Sequence, residues 1–419
     1  MPSPDRTGGS CKAFRIIPFS HVGISLNVEE NQPMTKKKVE TTPTQDAGPR
    51  MGRRRFLTGA AVATAGTLAM PQISRAETIN WRFQSTWPQQ DFFHENAAEY
   101  VRMVNQMSGG RLNMELLPAG AVVGALEVQD AVIAGALDGA HGVTAYWYGK
   151  NKAASLFGTP PAFGWDANQF LGWFYQGGGE ALYNELLQDV LGLNVTGYLT
   201  GPMPTQALGW FRSEISGVGD IEGLRYRTVG LAADLMNELG ASVTILGGPD
   251  IVPSLDRGVI DAAEFNNPTS DRILGFYDVA SNWYHQSYHQ DCEAFEIVLN
   301  KSNVDNLPEE LQAILRYAAY AVSSDMYWKA QVRYPADYEW LETEGGVTMH
   351  LTPQEILDAQ LNAWDTVIAN STQDEFFNRV IESQKEFAQK AVAYHLIATT
   401  PKEPAYRHFF GELPLSRQS

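Results

Sequence analysis

The chain has 419 residues, of which 44% are hydrophobic and 19% charged, and its formal net charge is -17 at pH 7. This length and composition indicate a folded protein with more than one lobe and exclude an intrinsically disordered chain. The acidic balance argues against nucleic-acid binding, which needs a basic surface. The two cysteines, Cys11 and Cys292, are too few for a disulfide-built fold or a cysteine-rich zinc site.

Residues 51–76 have the features of an export signal. Three arginines at 53–55 precede a weakly apolar run over 60–70, and Ser74-Arg75-Ala76 has small residues at both positions that a signal peptidase needs. We predict a twin-arginine signal peptide and a periplasmic mature chain that begins at Glu77; the alternative is an Ala-rich helix of the mature domain. Residues 1–50 lack hydrophobic periodicity and are either a disordered leader or an unused upstream start.

Removing residues 1–76 makes the chain more acidic. The mature chain keeps 20 basic and 43 acidic residues, a formal charge of -23. An anionic ligand would therefore need a local binding device, because the overall field repels it. No apolar stretch is uninterrupted enough to predict a permanent transmembrane helix.

Two successive strand–helix alternations predict two α/β lobes. The first consists of strands over 79–83, 112–116 and 139–143 with helices over 93–104 and 128–137. This order predicts a mainly parallel sheet with helices on both faces. The second has a helix over 231–239 and strands over 195–199, 206–212, 224–228, 241–246 and 259–265. We expect a periplasmic-binding-protein-like α/β fold with the ligand cleft between its lobes.

The last third of the chain is predicted to be helical. Helices are expected over 308–344, 352–370 and 374–398, the second starting from a capping box, Thr352-Pro353-Gln354-Glu355. The wide apolar stripes of the last two helices favour a homodimer, while the alternative is that these stripes cover the two lobes. The apolar positions that form the stripes are Ile356, Ala359, Leu361, Ala363, Ile368, Phe376, Phe377, Val380, Ile381, Phe387, Ala388 and Val392.

The common catalytic motifs are absent from the sequence. There is no G-x-S-x-G elbow, no H-E-x-x-H and no P-loop. Gly177-Gly178-Gly179 precedes a helix and is a weak candidate for a phosphate cradle. His285, His289 and Asp291 are close enough in sequence to suggest a metal-activated water, so a periplasmic metal-dependent hydrolase or lyase is the alternative of another class.

Three polar residues stand near predicted strand ends, where α/β lobes bind ligands. Gln206 heads the strand QALGWFR, Arg227 lies in LRYRTVG, and Glu264 ends VIDAAEFNN. Arg suits a bidentate grip on a carboxylate, and Gln and Glu oxygens suit a hard cation such as Na⁺ or Ca²⁺. Aromatic clusters at 146–148 and 283–284 are candidates for apolar pocket walls. By pattern alone, scattered surface ion pairs explain these residues equally well.

The run GLRYRTVGLAADLMNELGASVTILGGPDIVPSLDRGVIDAAEFNNPTSDRILGFYDVA resembles the periplasmic solute-binding proteins of TRAP transporters, the tripartite ATP-independent type. It is most similar to the branch with receptors for α-keto acids, lactate, mannitol and chloroaromatic compounds. The resemblance covers essentially all of residues 77–400. It implies two lobes that close on the ligand like a clamp, and a non-enzymatic receptor that passes its ligand to the small and large membrane permease subunits.

The resemblance also implies roles for individual residues. Arg227 matches the arginine that grips the carboxylate; Gln206, Glu264 and the backbone oxygen of Phe265 match the cation ligands. Gln290, with Asp291 beside it, stands where the family often has an acidic residue, and we expect it to be a further cation ligand. Phe265 replaces the family's Trp and Gln290 is neutral; both departures suit a different or larger acid.

Our expectation from sequence is a receptor for a 2-oxo or 2-hydroxy monocarboxylate such as pyruvate or lactate, with an aromatic carboxylate as the alternative ligand. Tyr146, Trp147 and Trp283 would shape the apolar side of the pocket beside Arg227. The expected division is residues 77–200 with about 265–302 in lobe I, and residues 201–264 with about 303–351 in lobe II and the connecting helix. Residues 352–419 would form C-terminal helices suited to dimerisation. No nucleic-acid partner and no organic cofactor are expected.

Overall fold

The structure of the protein is a computed structural model that describes residues 78–413. The described residues all belong to one compact unit. The predicted signal peptide and the segment before it lie outside the described residues, so the export prediction stays a prediction. Among the described residues, no helix combines the length and apolarity that crossing a membrane requires.

The strands of the described region form two separate sheets. Those of the first sheet are β1 (Ile79–Ser85), β2 (Leu112–Leu117), β3 (Gly139–Gly142), β4 (Val195–Met203) and β10 (Glu293–Asn300). Those of the second sheet are β5 (Gly209–Phe211), β6 (Arg225–Arg227), β7 (Ser242–Thr244), β8 (Ala262–Ala263), β9 (Asn282–His285) and β11 (Thr348–Leu351). Each sheet is the centre of one lobe, so the expected fold of two α/β lobes is confirmed.

The helices surround both sheets, and the longest ones lie in the last third of the chain. In chain order they are α1 (Phe92–Met107), α2 (Val128–Ile133), α3 (Ala167–Gln176), α4 (Gly179–Glu185), α5 (Leu231–Glu238), α6 (Gly248–Asp256), α7 (Pro268–Leu274), α8 (Lys301–Asp305), α9 (Glu309–Thr343), α10 (Gln354–Ser371), α11 (Glu375–Ala398) and α12 (Lys402–Phe410). Short helical turns occur at Ala125–Glu127, Thr144–Trp147, Lys152–Phe157, Leu186–Val190, Val218–Asp220 and Phe276–Asp278.

Local sequence signals explain why the first elements form. The side chain of Asp91 caps α1 by accepting a hydrogen bond from the backbone N–H of Phe93 at 2.7 Å. After α1, Gly109 and Gly110 take φ angles of 63° and 78°, a conformation that disfavours other residues and ends the helix. The chain then returns as β2, which pairs in parallel with β1.

Each sheet is mainly parallel, as expected, and contains one strand that runs against all the others. The first has the order β2-β1-β3-β10-β4, and β10 runs antiparallel to both of its neighbours. The second has the order β11-β9-β5-β8-β6-β7, and β5 runs antiparallel to β8 and β9. The antiparallel strands are those at the crossings between lobes. They enter a sheet from the other lobe and not through a crossover helix, so parallel pairing is not imposed on them.

Several segments connect the lobes, and one of them corrects the expected boundary. The connection from β4 to β5 crosses from the first lobe to the second, and the connection from β9 to β10 crosses back. The predicted lobe I segment 265–302 is therefore divided, because β9 pairs in the second sheet while β10 pairs in the first. Helix α9 crosses once more, packing on β4 and α1 of the first lobe and on α7 of the second.

The C-terminal helices brace the two lobes. Helix α10 packs on α5 of the second lobe, and α11 packs on α3 and α4 of the first. The predicted capping box at Thr352 does not form. Pro353 occupies the N-cap position of α10 without a side-chain hydrogen bond, and the Thr352 hydroxyl is buried without a partner among the described residues.

Most of the apolar stripe that suggested a dimer is buried within the chain. Its buried members are Ile356, Ala363, Phe376, Phe377, Val380, Ile381 and Ala388. Leu361 of the stripe is 40% exposed, but the five most exposed large apolar side chains lie further along, at the end of α11 and in α12. They are Tyr394, Leu396, Ile397, Phe409 and Phe410, each with 73% to 86% of its surface exposed. The stripe therefore serves the lobes, and the unpaired apolar surface is nearer the C-terminus.

Candidate functional site

Arg227 is the central charged group of the site. It ends β6 and is only 1% exposed. Its Nη1 donates to Glu264 Oε1 at 2.8 Å and to the Glu264 backbone oxygen at 3.2 Å. Its Nε and Nη2 donate to the backbone oxygen of Leu246 at 3.0 and 2.7 Å. The guanidinium plane is therefore fixed from two sides before any ligand arrives.

Glu264 follows β8 and forms a buried ion pair with Arg227. Burial raises the pKa of Glu264, and the positive charge of Arg227 acts in the opposite direction. Only Oε1 faces the guanidinium; Oε2 is buried and has no hydrogen-bond partner among residues 78–413. Because an unpaired buried carboxylate oxygen is costly, this atom is a candidate ligand for a cation.

Gln206 brings a second unpaired oxygen to the same place. It lies in the connection before β5, not in a strand as predicted, and is 2% exposed. Its Nε2 donates to the backbone oxygen of Phe265 at 2.7 Å and to Glu293 Oε2 at 3.0 Å. With the amide in this orientation, Oε1 is buried without a partner among the described residues. The residues present thus supply oxygen donors of the kind that hard cations prefer.

Glu293 is the residue that sequence reasoning missed. It begins β10 and is 3% exposed, and burial is the main cause that raises its pKa to about 8. The nearby charge of Glu264 raises this pKa further, so the Glu293 carboxyl is largely protonated at pH 7. An acidic residue at the start of the apolar strand EAFEIVLN was a visible signal, but the resemblance placed the family's acidic position at Gln290.

Gln290 lies in the connection before β10. Both its side-chain oxygen and its side-chain nitrogen are buried without a partner in the described part of the chain. Its backbone oxygen accepts a hydrogen bond from the backbone N–H of Gln206 at 3.1 Å. This bond joins the two connections between the lobes at the site.

Aromatic residues cover Arg227 on two sides. The Tyr146 hydroxyl lies beside the guanidinium, and burial raises the pKa of Tyr146 to about 12. The Phe265 ring centroid lies 5.9 Å from Arg227 Cζ and packs on Phe276. A Cβ on Gly248 would lie 2.8 Å from the Phe265 ring, so the ring fits closely against that glycine.

The other two predicted wall residues lie elsewhere. Trp147 is in the core of the first lobe, where its Nε1 donates to Glu296 Oε2 at 3.1 Å. Trp283 stacks on Trp210 with ring centroids 4.9 Å apart and lines a cavity together with Tyr334 and Tyr338 of α9. Both had been predicted from aromatic clustering, which does not distinguish a core position from a pocket wall.

Four buried hydroxyl groups lie close to the ends of strands and were not predicted from the sequence. Thr86 follows β1, Thr144 follows β3, and Thr228 follows Arg227; Ser155 lies in the turn Lys152–Phe157. The hydroxyls of Thr86, Thr144 and Ser155 have no hydrogen-bond partner among the described residues, whereas the Thr228 hydroxyl lies beside the Glu264 carboxylate. The three unpaired hydroxyls are candidates to bind the polar oxygens of a ligand.

The two lobes touch across the cleft next to these groups. Gly230, with φ of 62°, faces Ser155: a Cβ there would lie 2.7 Å from the serine oxygen. The hydroxyl of Tyr148 donates to Asp234 at 2.8 Å, and Lys152 pairs with the same carboxylate at 2.8 Å. The lobes are therefore in a closed arrangement.

The alternative enzymatic site is not assembled. Within residues 78–413, no group of three or more His, Cys, Asp or Glu side chains is arranged to hold a metal ion. His289 is fully buried with its Nδ1 against Ser287, and burial lowers its pKa to about 3. Asp291 instead meets the hydroxyl of Thr205.

The glycine triplet has a packing explanation. A Cβ on Gly177 or Gly179 would lie within 3.0 Å of Trp173 atoms, and Gly178 has φ of 94°. The turn into α4 therefore needs glycines for close packing and backbone conformation, without reference to a phosphate.

Comparisons with known proteins agree with these features. A family model described as bacterial extracellular solute-binding protein, family 7, matches residues 83–377. A monocarboxylate 2-oxoacid-binding periplasmic protein of Nostoc sp. (strain PCC 7120) is 31% identical over 376 residues, covering 86% of this chain and 99% of the relative.

Two solved structures are also similar. A TRAP transporter solute-binding protein from Bordetella bronchiseptica RB50, a mixed-occupancy dimer with copurified calcium and picolinate, has a TM-score of 0.74 and 27% identity, covering 80% of this chain and 97% of that one. A TRAP periplasmic solute-binding protein from Pseudoalteromonas atlantica T6c, with bound sodium and pyruvate, has a TM-score of 0.73 and 29% identity, covering 80% and 100%.

Proposed function

This chain belongs to family 7 of the bacterial extracellular solute-binding proteins, the TRAP receptors, and we propose that it binds a small 2-oxo or 2-hydroxy monocarboxylate in the periplasm. The observation that carries the proposal is the buried Arg227 guanidinium next to the unpaired oxygens of Gln206 and Glu264. Such a site offers a positive charge to a carboxylate and oxygen ligands to a cation. The relatives that bind a 2-oxoacid or pyruvate support this ligand class.

Arg227 would bind the carboxylate of the acid. Four hydrogen bonds already join the guanidinium to Leu246 and Glu264, and the Tyr146 hydroxyl lies beside it. If the carboxylate accepts one hydrogen bond from Arg227 Nη2 and one from the Tyr146 hydroxyl, the hydrogen bonds of the guanidinium do not have to change. If the carboxylate instead accepts from both Nη1 and Nη2, the hydrogen bond between Nη1 and Glu264 Oε1 must break. In both cases the site is preorganised, because the guanidinium cannot rotate freely.

Glu264 and Gln206 would hold the cation, with the Phe265 backbone oxygen as a further ligand. There a Na⁺ or Ca²⁺ would supply positive charge to compensate the carboxylate of the acid. Charge balance supports this, because the ionised Arg227–Glu264 pair is neutral and cannot by itself compensate a buried anion. The largely protonated Glu293 adds no negative charge at pH 7.

The ligand would hold the lobes in their closed arrangement. Arg227 and Glu264 belong to the second lobe, while Tyr146 belongs to the first, so an acid between them contacts both. A ligand that contacts both lobes stabilises the closed state by its differential affinity. The closed receptor would then dock with the small and large TRAP permease subunits.

We also propose that two copies pair through the C-terminal end of the chain. The exposed apolar side chains of α11 and α12, from Tyr394 to Phe410, form a surface that a second copy would cover. The dimeric Bordetella bronchiseptica relative supports this arrangement.

The proposed function is tested by calorimetry with pyruvate, in buffers with sodium, with calcium, and with a chelator and no sodium. We expect binding that depends on the cation and is lost with methyl pyruvate, which lacks the carboxylate. Picolinate tests the aromatic alternative. Binding of none of these acids, with a correctly folded protein, would refute the assignment of a 2-oxo or aromatic monocarboxylate.

A further inference from the structure

A polar cluster joins the two lobes, and it contains none of the residues proposed to bind the acid or the cation. Its centre is the carboxylate of Asp234, in the first turn of α5 in the second lobe. The hydroxyl of Tyr148 donates to this carboxylate, 2.8 Å from each of its oxygens, and Lys152 Nζ donates to Oδ2 at 2.8 Å. Tyr148 and Lys152 belong to the first lobe, between β3 and α3. We call these three side chains the rim cluster.

The rim cluster is only partly buried. The side chains of Asp234 and Lys152 are 26% and 49% exposed, and Tyr148 is half-buried. Lys152 Nζ also lies 5.5 Å from the centroid of the Tyr148 ring, so the three groups hold one another in place. Water can solvate all three groups when the lobes separate, which keeps the cost of opening small. These contacts are therefore of a kind that forms and breaks as the lobes move.

The lobes approach each other closely at two glycines of the second lobe. A Cβ on Gly230, the residue before α5, would lie 2.7 Å from Ser155 Oγ in the first lobe. A Cβ on Gly247, the residue before α6, would lie 3.2 Å from Ala125 Cβ, also in the first lobe. Larger side chains at these positions would hold the lobes apart. The rim cluster thus forms where the backbone allows the lobes to close fully.

We propose that the rim cluster is a latch, which stabilises the closed arrangement without touching the ligand and thereby slows the release of the acid. Contacts that exist only in the closed state shift the equilibrium between open and closed lobes towards closure. A larger closed fraction lowers the apparent dissociation constant of the ligand in proportion. The effect on acid release rests on the proposed function, whereas the effect of the rim cluster on the lobes does not.

An ion pair inside the first lobe provides the matched control. Asp130 lies in the first turn of α2 and pairs with Lys150, so it matches Asp234 in residue type, helix position and partner type. Both members of the control pair belong to the first lobe, so their contact is kept when the lobes separate. Asp130→Ala therefore removes a comparable ion pair without removing a contact between the lobes.

Stopped-flow binding of pyruvate in a sodium buffer tests the latch on the acid. We expect Asp234→Ala to raise the dissociation rate constant about tenfold and to leave the association rate constant within about twofold, because the acid enters while the lobes are open. Tyr148→Phe, which removes only the hydroxyl, should raise the dissociation rate constant about fivefold. The double variant should release the acid no faster than Asp234→Ala, because both changes remove the same hydrogen bonds. Asp130→Ala should stay within about twofold of the parent protein.

The lobes themselves are followed without any acid, by the distance between two spin labels on the mature chain. One label is attached at Ala134→Cys in the first lobe and the other at Ser242→Cys in the second, and both positions are exposed. Cys292 is buried and escapes labelling. We expect a closed population in the parent protein that Asp234→Ala reduces at least about threefold and that Asp130→Ala leaves unchanged.

Equal dissociation rates for Asp234→Ala and Asp130→Ala, with both variants folded by circular dichroism, overturn the latch. So does a double variant whose effect is the product of the two single effects, since the hydroxyl and the carboxylate would then act independently. A ligand-free parent without a closed population, or with one that Asp234→Ala does not reduce, overturns the effect on the lobes. If pyruvate does not bind the parent in any buffer, the proposed function fails, while the spin-label distances still decide the latch.

Discussion

Replacing Arg227 with Lys should weaken acid binding about 100-fold or more. In the structure the guanidinium makes four hydrogen bonds, two to Leu246 and two to Glu264, so its position is fixed from two directions. A Lys ammonium is a single point donor that cannot hold the carboxylate while also satisfying Leu246 and Glu264. Losing one or two charge-assisted hydrogen bonds, at about 1.5–3 kcal/mol each, predicts an affinity loss of about 3 kcal/mol.

Calorimetry with pyruvate in a sodium buffer measures this effect, and Arg225→Lys is the matched control. Arg225 is two residues earlier, at the exposed start of β6, where it pairs with Asp261 and not with Glu264. Side chains of that pair are 47% and 32% exposed, and exposed ion pairs contribute little. We expect the control to bind pyruvate with an affinity within about twofold of the parent protein.

The variant must be folded for the comparison to count. Leu246 O and the Glu264 backbone oxygen lose donors in Arg227→Lys, so a lower unfolding temperature is expected alongside the weaker binding. Binding is therefore measured well below the transition, with circular dichroism as the check. If Arg227→Lys binds pyruvate as tightly as Arg225→Lys does, the role assigned to Arg227 is wrong.

Four further predictions follow from other parts of the chain. Glu264→Gln should make pyruvate affinity independent of sodium and calcium in calorimetry; a variant that still responds to the cation would remove Glu264 from the proposed ligands. Burial raises the pKa of Glu296 from 4.5 to about 8. Between these two pH values the folded protein keeps a proton on Glu296 that the unfolded chain has lost. The free energy of unfolding therefore falls by about 1.4 kcal/mol for each pH unit of increase. Denaturant unfolding at pH 6 and pH 8 should therefore give Glu296→Gln a smaller loss of stability than the parent, and equal losses would contradict the assignment. Ile397→Asp, at the most exposed apolar residue of α11, should convert a dimer to a monomer in light scattering, whereas a parent protein that is already monomeric refutes the pairing surface. Changing Arg53 and Arg54 to Lys should abolish periplasmic accumulation, and unchanged fractionation would indicate the general secretory route.

The sequence predicted best those elements whose signals are local. The strand–helix–strand pattern from β1 to β2 depends on apolar spacing and on the Gly109-Gly110 stop, and the structure has these elements within a few residues of their predicted limits. The long helices α9, α10 and α11 were predicted for the same reason. Helix α12 was missed, because it follows Pro401 and contains a further proline.

Non-local pairings were less predictable. The segment from 265 to 302 was assigned to one lobe, but β9 and β10 belong to different sheets. Nothing in the local pattern of either strand says which partner it will take, since both are short apolar runs. The limits of β5 and β8 were overestimated for a related reason: strand-forming residues continue past the point where a neighbouring strand is available.

The site could be predicted only in part from the sequence. Arg227, Glu264, Gln206 and Phe265 meet in space as the resemblance implied, although their roles stay a proposal. Aromatic composition could not separate Tyr146, which lies beside Arg227, from its neighbour Trp147, which points into the core. That difference arises from the direction of successive side chains in one helical turn.

Glu293 explains how so acidic a chain can hold a site for an anion. The formal charge of -23 on the expected mature chain repels an acid, and two ionised glutamates beside one arginine would leave the empty site with a net charge of about -1. Burial removes this obstacle, because a pKa of about 8 keeps Glu293 largely protonated at pH 7. Arg227 and Glu264 then cancel, and a monovalent cation balances a singly charged acid. The Glu293 carboxyl still accepts a hydrogen bond from Gln206 Nε2. This bond orients the amide so that Gln206 Oε1 stays available to a cation.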